Sequence, residues 1–75
     1  MKIEIYTKDH CHYCVSAKNL LNIKGLPYKE YHIPNDISRE NVMEKFPDVR
    51  TVPIILIDGK YIGGFDILQK YLAGS

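Results

Sequence analysis

The sequence predicts an α/β domain with element order βαβαββα, a mixed sheet of four strands flanked by three helices. Three observations carry this. Apolar residues alternate at the start of the chain, take up helical spacing, and then alternate again. Glycine and proline stop signals fall where the period changes. Late in the chain an Asp-Gly pair links two apolar runs in the manner of a hairpin.

Taken in order, "KIEIY" (2–6) places Ile3 and Ile5 on one face and reads as a strand. From Tyr13 to Lys24 the apolar residues Tyr13, Ala17, Leu20 and Leu21 share a helical face, with Gly25 as C-cap and Pro27 beyond it. "YKEYHI" (28–33) is the second strand. The short connection predicts a parallel pair with a right-handed crossover. Asn35, Asp36 and Ser38 are capping residues for a short helix through Val42, Met43 and Phe46, closed by Pro47. "VPIILI" (52–57) is the most apolar run and reads as a buried strand. Asp58-Gly59 turns the chain into "KYI" (60–62), an antiparallel strand. Gly63-Gly64 breaks it, and Phe65, Leu68, Tyr71 and Leu72 mark the last helix.

The 75 residues form one expected domain, 1–75, near the lower size limit for a core that folds unaided. A net charge of +1 with interspersed signs gives no basic stripe for nucleic acid. No apolar run approaches the roughly 20 residues that cross a membrane, and "MKIEIYTK" has no signal-peptide core. A cytoplasmic protein is expected. Two cysteines cannot build the multi-bridge framework of a small secreted domain.

Both cysteines, and two of the three histidines, lie within "KDHCHYC" (8–14). Cys11 falls between a strand and a helix, where free N–H groups and a partial positive charge stabilise a thiolate. Cys14 sits one turn further in, within bonding reach, and is expected to be the more buried sulfur. That arrangement suits dithiol–disulfide exchange, in which one thiolate attacks and the second resolves the mixed disulfide. Two other uses of the pair stand beside it. Tetrahedral zinc takes four ligands, and this CxxC supplies two. His10 and His12 flank Cys11 too closely to complete the set comfortably, and His32 falls in a predicted strand. Two inert buried thiols are the remaining reading.

Four pieces together resemble a glutaredoxin of the small dithiol kind, with the thioredoxin-like fold: "KDHCHYC" at 8–14, "TVP" at 51–53, "IGG" at 62–64, and Asp66. The resemblance covers essentially the whole chain. It implies a glutathione-dependent thiol–disulfide oxidoreductase in which Cys11 is the nucleophile and Cys14 the resolving thiol. It further implies that Tyr13 borders the glutathione groove and that Lys8 meets the glycine carboxylate. Val52-Pro53 resembles the family's cis-proline turn, which lets the Val52 backbone pair with the cysteinyl part of glutathione; Thr51 lines the same edge. Gly64 permits close approach of the ligand. Phe65 and Asp66 open the last helix, whose N-terminus takes the γ-glutamyl carboxylate while Asp66 takes the α-ammonium. Arg39 and Arg50 add positive charge near the groove without aligning to any ligand contact.

One residue departs from the family pattern: His12 stands where a proline is usual. Some members lacking that proline hold an iron–sulfur cluster between two subunits. The resemblance suggests glutathione as reducing co-substrate, no metal, a monomer, and ribonucleotide reductase among the disulfide-containing or glutathionylated partners. Two alternatives accompany it. A redoxin driven by thioredoxin reductase is similar in size but carries a tryptophan-containing segment near its C-terminus, and this chain has no tryptophan. A non-enzymatic zinc or iron–sulfur carrier is the other.

Overall fold

The computed structural model describes residues 1–73. The elements are β1 (Ile3–Lys8), α1 (His12–Ile23), β2 (Lys29–Ile33), α2 (Arg39–Lys45), β3 (Ile54–Ile57), β4 (Lys60–Gly63) and α3 (Phe65–Ala73). The strands lie in the order β2-β1-β3-β4, with β1 parallel to β2 and the other two pairings antiparallel. This is the expected βαβαββα order and mixed sheet.

Strand alternation divides the core between two faces. Ile3 and Ile5 of β1 join Ile55 and Ile57 of β3 against Ala17 and Leu21 of α1 and Leu68 and Leu72 of α3. Tyr6 and Ile54 point the other way and pack with Val42 of α2. There Tyr6 stacks on Tyr31 at 4.9 Å between ring centres and meets the edge of Phe46 at 5.3 Å. Two helices therefore cover one face of the sheet and one helix covers the other.

Element ends follow local chemistry. Ser38 caps α2 by accepting a hydrogen bond from the Asn41 N–H. Beyond α1, the Leu26 N–H bonds to the Leu21 carbonyl and the Gly25 N–H to that of Asn22. This six-to-one and five-to-two pattern needs a left-handed residue, supplied by Gly25 at φ +69°. Lys24 is thus the C-cap, and Gly25 lies one residue past it. Asp58 and Gly59 both have positive φ, as a tight two-residue hairpin demands.

Several boundaries, and the buried face of α1, differ from the sequence reading. Strand β1 continues past residue 6, because Thr7 and Lys8 pair with His32 and Ile33. Strand β3 begins at Ile54, since the chain turns at Val52 and Pro53, and proline has no N–H for a ladder. Phe46 caps α2 rather than continuing it. In α1 the buried stripe is Cys14, Ala17 and Leu21, whereas Tyr13 is 63% exposed.

Thr7 is the buried polar residue of the core, and its hydroxyl donates to Glu30 Oε2 at 2.6 Å. Lys18 Nζ donates to the same oxygen at 3.1 Å, so one carboxylate ties α1 to β1 and β2. The Thr7 hydrogen bond, with Lys18 beside it, holds the Glu30 carboxyl below its usual range against the opposing effect of burial. A depressed carboxyl contributes stability above its unfolded value, and this is lost as pH falls through the folded value. Glu30→Gln should therefore cost about 1 kcal/mol near neutrality, the scale of a partly exposed charge-assisted contact. Urea unfolding from neutral to strongly acid pH should show the gap between the two proteins closing as the carboxyl protonates. A gap that stays constant would assign the loss to packing instead.

Candidate active site

The route from β1 to α1 sets the position of Cys11. The chain turns through His10 at φ +57° and returns to extended backbone at Cys11, φ −122° and ψ 102°. Cys11 is thereby the N-cap of α1, and its sulfur accepts a hydrogen bond from the Cys14 N–H at 3.2 Å. The two cysteines are joined as a disulfide, with their Cα atoms 5.3 Å apart. Cys14 is 2% exposed, and Cys11 is the more accessible of the two, as expected for resolving and attacking sulfurs. His12 takes the first helical position and is exposed. A proline suits that position because its N–H has no partner inside the helix.

The turn before β3 reaches the same spot from the far end of the chain. The Val52–Pro53 bond is cis, and the Val52 carbonyl oxygen lies 3.8 Å from Cys11 Sγ. A disulfide sulfur has no proton to give, so this contact becomes a hydrogen bond only when Cys11 is a thiol. A second cis bond, Ile33–Pro34, follows the end of β2 and has no counterpart in the sequence reading.

Two hollows open on either side of Thr51 and Val52, which line both. The first, of about 560 Å³, is formed by Tyr13 of α1, Thr51, Val52 and Pro53, and Gly64, Phe65 and Asp66 at the start of α3. Tyr13 and Phe65 face one another at 6.1 Å between ring centres. Gly64 leaves ordinary room here: an added Cβ would stand 3.5 Å from the Pro53 carbonyl oxygen. Seven of the residues expected at a ligand groove are thus together. The eighth, Lys8, is elsewhere. It lines the second hollow, of about 350 Å³, with Arg39 and Arg50.

Some neighbours were not anticipated. Ile67 and Lys70 also line the first hollow. Lys70 falls four residues after Asp66 on α3, so helical spacing alone would have brought it to the same face. Asp9, inside the cysteine motif, accepts from His32 Nε2 at 3.0 Å and ties the loop before Cys11 to β2. The other ring nitrogen of His32 is buried without a hydrogen-bond partner. Among the described residues, no three His, Cys, Asp or Glu side chains converge as a metal-ligand set.

The arrangement is suited to sulfur exchange: an N-cap sulfur, a buried partner within bonding reach, and a free backbone edge beside them. Comparison with known proteins points the same way. The glutaredoxin family model matches residues 3–62. Over 66 residues the chain is 44% identical to Glutaredoxin 3 of Escherichia coli (strain K12), which is 88% of this chain and 80% of that one. The crystal structure of glutaredoxin 1 from Francisella tularensis, complexed with cacodylate, matches with a TM-score of 0.84 at 30% identity, covering 97% of this chain and 93% of that one. A buckwheat glutaredoxin–glutathione complex matches with a TM-score of 0.75 at 28% identity, covering 96% and 69% respectively. With the fold, the cysteine pair and a sequence match over most of the chain in agreement, the chain belongs to the glutaredoxin family of thiol–disulfide oxidoreductases.

Proposed function

We propose that this oxidoreductase is glutathione-dependent and reduces both protein disulfides and glutathione mixed disulfides. The observation that carries the reading is the first hollow, which opens beside Cys11 and is lined by the aromatic, backbone and acidic groups that a γ-glutamyl-cysteinyl ligand needs. The family uses glutathione as reductant, and the buckwheat relative is described in complex with it.

The Cys11 thiolate attacks a substrate sulfur, forming a mixed disulfide as the other substrate sulfur leaves as thiolate. Cys14 then loses its proton and displaces the bound substrate, leaving the Cys11–Cys14 disulfide. One glutathione thiolate opens that bond at Cys11, and a second releases oxidised glutathione, so two electrons pass from two glutathiones to one substrate disulfide. For a glutathionylated substrate, Cys11 attacks the glutathione sulfur and the protein thiol leaves, so Cys14 is not required. In the bound mixed disulfide, the Val52 backbone pairs with the cysteinyl unit. The α3 N-terminus and Asp66 hold the γ-glutamyl end, and Lys8 meets the glycyl carboxylate. The described helices include none long and apolar enough to cross a membrane. We place the protein in the cytoplasm as a monomer that acts without bound metal, with ribonucleotide reductase as a candidate substrate.

Cys11→Ser should abolish all activity, because no other sulfur caps a helix here. Cys14→Ser should lose reduction of protein disulfides yet keep deglutathionylation, since free glutathione can resolve the intermediate. Assays with both substrate types test this, and retention of deglutathionylation by Cys11→Ser alone would reverse the roles.

Asp66→Ala and Lys8→Ala should each weaken glutathione binding by roughly 1–3 kcal/mol, the range for a charge-assisted hydrogen bond. Turnover with a small uncharged dithiol should change much less. Equal losses with both reductants would mean that these residues serve the fold and not the ligand.

A further inference from the structure

We propose that His32 is a positioning residue for Cys11: by holding the Asp9 carboxylate against β2, it keeps that carboxylate off the N-terminus of α1 and reserves the helix end for sulfur. Asp9 is the one acidic residue between Glu4 and Glu30, and it stands two residues before the N-cap. The first turn of α1 contains no acidic side chain. Its free N–H groups and partial positive charge favour a carboxylate as well as a thiolate. Aspartate is, moreover, among the preferred residues for accepting such N–H groups. Two residues of chain span up to about 7 Å, so a released Asp9 has the reach for that turn. There it would harm Cys11 twice, by taking N–H groups from the sulfur and by setting a like charge beside the thiolate.

His32 prevents this. Its Nε2 lies 3.0 Å from Asp9 Oδ1, and among the described residues no lysine or arginine is paired with Asp9. The ring is held in place from two sides. Strand pairing sets His32 opposite Thr7. Beyond β2, the Asp36 carboxylate accepts the His32 N–H at 2.9 Å, and the Asp36 N–H donates to the His32 carbonyl at 2.7 Å. Nδ1 is buried with no hydrogen-bond partner, so the directed donor is the Nε2–H, which the neutral and the charged ring both offer. The other charges around the ring do not compete for Asp9: Glu30 and Asp36 are carboxylates, and Lys18 is engaged by Glu30. If the contact served only to anchor the loop, both partners would be equally necessary. Sequestration makes His32 necessary and Asp9 dispensable. The proposal rests on Cys11 as the attacking thiolate and does not depend on glutathione.

The test breaks one hydrogen bond from its two ends and follows thiolate ultraviolet absorbance against pH in the fully reduced protein. His32→Ala frees the carboxylate and should move the first ionisation up by about half a pH unit, the scale of one charge at a helix terminus. Asp9→Ala breaks the same contact but leaves no carboxylate, and should not move it up. Asp9→Ala/His32→Ala should follow Asp9→Ala. His32→Gln, whose side-chain amide can donate to Asp9, should restore most of the natural value and guards against a folding defect in the alanine variant. An equal rise in His32→Ala and Asp9→Ala would overturn the proposal, because the contact would then act as an anchor alone. So would the absence of a rise in His32→Ala, or a rise that persists in the double variant. A first ionisation that survives in Cys11→Ser would overturn the assignment of the attacking sulfur, and this proposal with it; the other contrary results leave that assignment standing.

Discussion

The first turn of α1 has N–H groups that no carbonyl within the helix can satisfy, and the sulfur of Cys11 accepts one of them. A serine, threonine or aspartate usually does this work, with an oxygen as acceptor. A sulfur in that place is a better acceptor, and more strongly favoured, as a thiolate than as a thiol. The local demand of a helix end is thus linked to the chemistry of the protein. The surrounding structure holds the geometry. Asp9 anchors the preceding loop to His32, and Glu30 ties α1 to both neighbouring strands through Thr7 and Lys18. Ala17 and Leu21, buried without exposure, clamp the helix on the sheet.

Everything else at the site comes from distant chain brought close by the sheet. Strands β1 and β3 are neighbours, so the turn before β3 emerges beside the end of β1 and sets Val52 near Cys11, 41 residues away in sequence. The β3–β4 hairpin then returns the chain to the start of α3. Gly63 makes that return possible: it has φ +138°, and an added Cβ would sit 2.7 Å from Ile67 Cγ1. No side chain fits there without moving α3. Leu68 and Leu72 bury α3 beside α1, so the residues at its N-terminus stand at a fixed place across the hollow from Tyr13. The groove is a consequence of packing order, with two walls set by elements that make no direct bond to the cysteines.

Much of this was legible in the sequence because the signals were local. Alternation marked β1, helical spacing marked α1, and Asp58-Gly59 marked a hairpin whose two residues both have the positive φ it requires. The cysteine spacing announced sulfur chemistry on its own terms. Residues that misled were those whose fate depends on tertiary context. Tyr13 has the right spacing for the core yet faces the hollow, because the sheet meets α1 along Cys14, Ala17 and Leu21. Thr7 fell outside the strand read at 2–6 but lies buried within β1, where Glu30 satisfies its hydroxyl. Lys8 lies past Val52 in the adjoining hollow with Arg39 and Arg50, a separation from the other groove residues that the motif does not show. His32 and Asp9 are 23 residues apart, and only the parallel pairing of β1 with β2 brings them together.

The central claim is that the helix terminus makes Cys11, and not Cys14, the thiolate at neutral pH. The most direct measurement is a pH titration of thiolate ultraviolet absorbance in the fully reduced protein, repeated in Cys11→Ser and Cys14→Ser. The account predicts a first ionisation clearly below the ordinary cysteine value of about 8.5, retained in Cys14→Ser and lost in Cys11→Ser. A first ionisation at or above that value, or one that disappears only when Cys14 is replaced, would contradict it.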